Sequence, residues 1–197
     1  LFKESRMAIF FVFSMLLGAA LQITNGFGNL YIDSFANDPI FANSFGVKHP
    51  VMLISLSQIS ETLCILLIPF FLKRYGIKKV MLISMIAWVL RFALFGLGDP
   101  GSGIWLLVLS MLVYGVAFDF FNISGALFVN QETSPSIRSS AQGLFMIMTN
   151  GFGATIGSLA AGAIVSNVVP DPAGSPIGWD IAWYIFAGYA LVVAVVF

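Results

Sequence analysis

The sequence predicts an all-α membrane protein of six transmembrane helices. Three observations carry that expectation. Of 197 residues, 59% are hydrophobic and 9% charged, with a mean hydropathy of +0.96, whereas soluble domains are about a quarter charged. Six apolar runs each reach the roughly 20 residues a helix needs to cross the hydrocarbon. The runs are continuous and lack the alternation of barrel strands, so helices satisfy the backbone in lipid.

In order, the spans fall at approximately 7–32, 51–72, 80–98, 103–129, 139–166 and 178–197. Turn chemistry separates them: Asn37-Asp38-Pro39, Arg74-Tyr75-Gly76, Asp99-Pro100-Gly101, Ser134-Pro135 and Pro170-Asp171-Pro172. Cytoplasmic loops carry an excess of Lys and Arg. Lys3, Arg6, Lys73, Arg74, Lys78, Lys79 and Arg138 fall on one side of the bilayer and Lys48 alone on the other. Both ends of the segment are therefore expected in the cytoplasm. The chain opens without Met and its last run stops at Phe197, with no signal-peptide pattern ahead of the first span. A longer polypeptide is expected.

Composition also excludes functions. Net charge is zero, which argues against a nucleic-acid partner. Cys64 is the single cysteine and His49 the single histidine, so neither an internal disulfide nor a His-based metal site is available. No phosphate-binding Gly loop, nucleophile–base pair or cofactor motif is present, so an enzyme is not expected.

The first and fourth spans repeat. At an offset of 97, Gly18/Gly115, Ala20/Ala117, Asn25/Asn122, Gly28/Gly125 and Leu30/Leu127 match, and Gln22 falls opposite Asp119. The first span runs outward and the fourth inward, so a 3+3 inverted repeat is expected.

Polar residues inside the spans point to a cavity. Gln22 and Asn25 share a helical face, as do Gln58 and Glu61. The fourth span carries Tyr114, Phe118 and Asp119, and the fifth Gln142, Thr149 and Asn150. Polar groups in hydrocarbon must find partners. Hydroxyls and the Asn150 amide suit helix–helix bonding. The paired amides suit a neutral polyhydroxylated or heterocyclic ligand, because an amide both donates and accepts. Tyr114 and Phe118 offer flat surface for a ring to stack on. Glu61 and Asp119 sit at mid-span, where a carboxyl group that exchanges a proton with either side would couple transport to protons. Asp119 is the first choice for that role and Glu61 the alternative. Arg91, in the outer half of the third span, is expected to reach the boundary or a neighbouring helix carbonyl rather than the site. The small-residue stripe Gly153, Gly157, Ala161 is expected to pack closely on another helix.

The basic turn from Phe71 to Lys79 has the Gly and flanking cations of the major-facilitator cytoplasmic latch, without its usual acid. Further stretches resemble bacterial nucleoside permeases, the nucleoside:proton symporter family of the major facilitator superfamily. They run from Met7 to Gly18, Leu21 to Asn25, Ser57 to Thr62, Arg74 to Lys78, Arg91 to Phe95, Phe118 to Gly125 and Thr149 to Gly153. The resemblance covers nearly the whole chain and matches the C-terminal six-helix half, helices 7–12 of twelve. It implies one half of a major-facilitator fold and proton-driven uptake of nucleosides, uridine and adenosine among them, across the bacterial inner membrane. It also implies that the N-terminal half completes the pocket. By the same resemblance Gln22, Asn25, Gln58 and Glu61 are polar nucleoside contacts. Tyr114 and Phe118 are the aromatic wall, and Asp119 is linked to protonation or ribose binding. Broad nucleoside specificity is expected over restriction to xanthosine. A carrier of another polyol, such as a sugar, and a non-transporting membrane scaffold are the alternatives.

Overall fold

The computed structural model describes residues 5–197, and Lys3, counted above for orientation, lies outside them. Among the described residues every regular element is helical. Helix α1 is Ser5–Asp33, α2 Phe45–Lys48, α3 Pro50–Leu97, α4 Ile104–Glu132, α5 Arg138–Met146, α6 Ala154–Val168 and α7 Trp179–Val196. A π-helical stretch, Ile147–Gly153, joins α5 to α6. Five stretches are long and apolar enough to cross a bilayer.

One of these five does double duty. At 48 residues, α3 would be about 72 Å long if straight, more than twice the hydrocarbon thickness of about 30 Å. It breaks at Gly76, whose φ of 77° and ψ of 168° belong to a region that is essentially glycine-only. The contacts with α4 show that the chain reverses there. Ser57 meets Met111, Ser60 meets Gly115 and Phe71 meets Phe120, rising together. Beyond Gly76 the order falls, with Ser84 on Ala117 and Arg91 on Ser110. The two legs of α3 thus run antiparallel to each other against different faces of α4, and the five stretches make six passes.

Close helix approach replaces the hydrophobic effect as the glue of membrane bundles. A Cβ on Gly18 of α1 would collide with the Thr149 carbonyl in the π stretch, and one on Gly153 with the Met15 carbonyl. One on Gly157 would lie 2.5 Å from the Ala19 Cα. The small-residue stripe is therefore packed on α1, with Ala161 buried. The π turn, not foreseen from the sequence, sits at this crossing. There Thr149 Oγ1 donates to the carbonyls of Phe145 and Met146 at 2.9 and 3.2 Å, a local alternative to the regular ladder. In α4, a Cβ on Gly115 would lie 2.6 Å from the Ser60 carbonyl oxygen.

Aromatic packing fixes one end of the bundle. Trp183 stacks on Phe95 at 4.5 Å and on Trp179 at 6.1 Å, and Tyr31 meets both tryptophans edge-on. The Tyr31 hydroxyl donates to the Gly98 carbonyl at 2.5 Å. The outer surface is apolar, with Leu66, Leu159 and Val195 largely exposed, as lipid contact requires.

Candidate functional site

Among the described residues, polar faces of the bundle meet at a cavity of about 300 Å³. Four passes line it at helical spacing. α1 contributes Thr24, Asn25, Gly28 and Asn29. The first leg of α3 contributes Ile54, Ser57, Gln58 and Glu61, and its second leg Arg91 and Phe95. α4 contributes Met111 and Tyr114. Asn25, Asn29 and Gln58 are exposed, and Glu61 is half-buried. Amides, a carboxylate and a guanidinium converge on one space, so the cavity both donates and accepts hydrogen bonds.

Of the seven residues expected at a site, Asn25, Gln58, Glu61 and Tyr114 meet in this cavity. Gln22, Phe118 and Asp119 do not line it. On α1 the lining ends at Thr24, and Gln22 is half-buried further along the helix. Phe118 lies one turn below Tyr114, its ring parallel to Tyr114 within 4° at 5.6 Å. It lines a separate, narrow cleft of about 10 Å³ with Trp88, Phe121, Asn122 and Thr149. Asp119 is five residues from Tyr114, about 140° around the helix at 100° per residue. It shares with Gly115 the stripe that faces the first leg of α3. The residue is buried, and its Oδ2 is shut from solvent without a hydrogen-bond partner.

Arg91 is expected from the sequence to reach the boundary or a neighbouring helix carbonyl, and the structure gives it the second. Its Nη1 does donate to a helix carbonyl, that of Ser110, at 2.6 Å. However, the side chain turns inward rather than to the boundary, is 2% exposed and lines the cavity. Its guanidinium lies 4.5 Å from the Tyr114 ring centroid and 5.3 Å from that of Phe95. The sequence signal for this was the cost of a charge at membrane depth, which favours an inward-facing position.

Other polar groups of the spans serve packing. Gln142 Nε2 donates to Ala126 O at 2.7 Å and Asn130 Oδ1 at 3.0 Å, tying α5 to α4. Asn122 Nδ2 donates to Phe118 O in its own helix at 3.0 Å. Asn150 is exposed. Ser57 Oγ donates to the Met111 sulfur at 3.2 Å while also lining the cavity.

A bundle of apolar passes around an inward-facing polar cavity is the build of a membrane transporter. Comparison with known proteins narrows that class. The chain belongs to the nucleoside H+ symporter family, whose model matches residues 1–197. It is 60% identical over 202 residues to nucleoside permease NupG of Escherichia coli (strain K12), covering 100% of this chain and 47% of that one. It is 59% identical over 198 residues to the xanthosine permease of the same organism, again covering 100% of this chain and 47% of the relative. A crystal structure of nucleoside transporter NupG superposes with a TM-score of 0.91 at 60% identity, over 99% of this chain and 48% of that one. The chain thus spans about half the length of the relatives it matches. It is a multi-pass membrane protein of a transporter family, with the all-helical fold of that transporter.

Proposed function

We propose that this chain is the C-terminal six-helix domain, helices 7–12, of a nucleoside:proton symporter of the bacterial inner membrane. In this reading both ends of the segment lie in the cytoplasm, and the N-terminal half faces the cavity and completes it. The observation that carries the proposal is the convergence of Asn25, Gln58 and Glu61 beside Tyr114 in a chain 60% identical to a nucleoside permease. Nucleosides present amide-like edges, hydroxyls and a flat ring. The cavity offers matching amides, a carboxylate and an aromatic wall. At about 300 Å³ it is at the lower end of ligand-pocket volumes, as suits a half-site.

Transport then follows from two levels. The ligand is held at the level of Asn25, Gln58, Glu61 and Tyr114. Gln22 and Phe118 lie deeper and take up the ligand's other end or its path as the halves rock. Asp119 exchanges the coupled proton, because a proton arriving at its partnerless Oδ2 displaces no hydrogen bond. Glu61 reads the ligand from the cavity wall. The packing supports a 3+3 repeat. Gly18 of the first pass abuts the fifth and Gly115 of the fourth abuts the second, the exchange an inverted repeat requires. The cytoplasmic placement of the ends is supported by Arg6 and Lys78, which share one groove with Phe197.

The test is uridine uptake by the full-length protein in proteoliposomes with an inward proton gradient. Accumulation above the outside concentration that collapses with a protonophore, and that adenosine but not glucose competes, is expected. Uptake of sugar in preference to uridine, or none of either by folded protein, would overturn the reading.

A further inference from the structure

We propose that Arg91 is a positioning residue for ligand recognition, acting through Tyr114; the inference rests on the nucleoside-carrier reading above. A fully buried cation at membrane depth is costly and normally has a task. Arg91 is braced at both ends of its residue. Its Nη1 donates to Ser110 O at 2.6 Å, and Ser110 Oγ donates back to the Arg91 carbonyl at 3.1 Å. The brace joins the second leg of α3 to α4 and leaves the guanidinium over two rings, Phe95 of its own helix at 5.3 Å and, nearer, Tyr114 of α4. Its carbon is 4.5 Å from the Tyr114 centroid, within the roughly 6 Å at which cation–π attraction acts.

Tyr114 is held by its other neighbours as well. Phe118 stacks on it at 5.6 Å and 4°, and Trp88 meets it edge-on at 6.0 Å and 88°. The guanidinium completes this cage from the cavity side. Tyr114 is the aromatic residue that α4 gives to the cavity, alongside Glu61 and Gln58. Fixing its ring plane before a ligand arrives removes an ordering cost that binding would otherwise carry. Packing alone does not require an arginine here. Nε has no hydrogen-bond partner, and the remaining polar contacts of the guanidinium are to the Met111 sulfur at 3.9 and 4.0 Å. A structural brace would meet more of the five N–H donors.

The test is a double-substitution cycle in the full-length protein: Arg91→Met, Arg91→Lys, Tyr114→Leu and Arg91→Met/Tyr114→Leu, with uridine binding measured by calorimetry. Arg91→Met is expected to weaken binding about tenfold and Arg91→Lys about threefold, since lysine keeps a cation over the ring. In the Tyr114→Leu background, Arg91→Met is expected to change affinity less than about twofold, because its means of action is gone. Multiplying losses in the double variant, or no loss in Arg91→Met, would overturn the proposal while leaving the carrier reading intact. If Arg91→Met does not elute as a folded monodisperse species, Arg91→Lys takes its place in the cycle with the same non-multiplying outcome expected. Wild-type protein that binds no nucleoside would overturn the carrier reading and this inference with it.

Discussion

Gly115→Ala should open the cavity from behind. The added Cβ would lie 2.6 Å from the Ser60 carbonyl oxygen, against the 3.4 Å at which ordinary contact begins, so the first leg of α3 must retreat from α4 by about 0.8 Å. The Gly115 N–H bond to Ser60 Oγ, at 3.2 Å, stretches with it. Overpacking of this kind costs about 1–3 kcal/mol, offset by the roughly 0.5–1 kcal/mol that alanine gains over glycine in a helix. A net loss of about 1 kcal/mol is expected. The same shift carries Ser57, Gln58 and Glu61 away from Tyr114, because they lie on the displaced leg. A misplacement near 1 Å can cost up to about a hundredfold where geometry is exacting, so uridine affinity should fall at least about tenfold. Thermal unfolding and calorimetric binding of the full-length protein in detergent measure both effects. Gly162→Ala is the control, since its Cβ would meet nothing within 4 Å. Equal melting temperature and affinity in the two variants would refute the reasoning.

Other expectations follow from the same geometry. Gln58→Ala and Glu61→Gln should each weaken uridine binding about tenfold, at about 1–1.5 kcal/mol per lost hydrogen bond, with melting temperature unchanged because both side chains border the cavity; calorimetry beside a melt checks this. Asp119→Asn should still exchange labelled uridine across the membrane but lose accumulation against a gradient and the dependence of uptake on outside pH, as followed in proteoliposomes. Gly76→Ala should cost about 1–3 kcal/mol, since its φ of 77° and ψ of 168° suit glycine alone. Reduced yield and a lower melting temperature would register it.

Much of the fold was legible because lipid leaves a chain few options. A run of about 20 apolar residues has to become a helix, and Asp99-Pro100-Gly101 or Ser134-Pro135 cannot continue one. The reversal at Gly76 was readable as a basic Gly turn, and its non-helical φ of 77° and ψ of 168° mark it in the structure. Two details were not legible. The single-turn α2 depends on the Ser44 side chain reaching Val47 N at 3.4 Å, a local choice among several open to a polar connector. The π stretch Ile147–Gly153 depends on the crossing with α1 at Gly18, and contacts across 130 residues leave no trace in local spacing.

The site divided along the same line between local and distant information. Pairs on one helix, such as Gln58 with Glu61, could be placed together because three residues bring a helix back to nearly the same face. Depth along the axis could not be read that way. Gln22 shares a face with Asn25, yet the cavity lining on α1 ends at Thr24. Adjacent residues diverge more sharply still: Phe118 continues the Tyr114 stripe, whereas Asp119, one residue on, shares the Gly115 stripe that faces the first leg of α3. Its proposed role therefore differs from theirs in kind. Asp119 lies outside the ligand cavity, one turn from Gly115, where an added Cβ would come 2.6 Å from the Ser60 carbonyl oxygen on α3. In the proposed mechanism a charge change at Asp119 acts on this seam, against the same leg of α3 that carries Gln58 and Glu61 to the cavity.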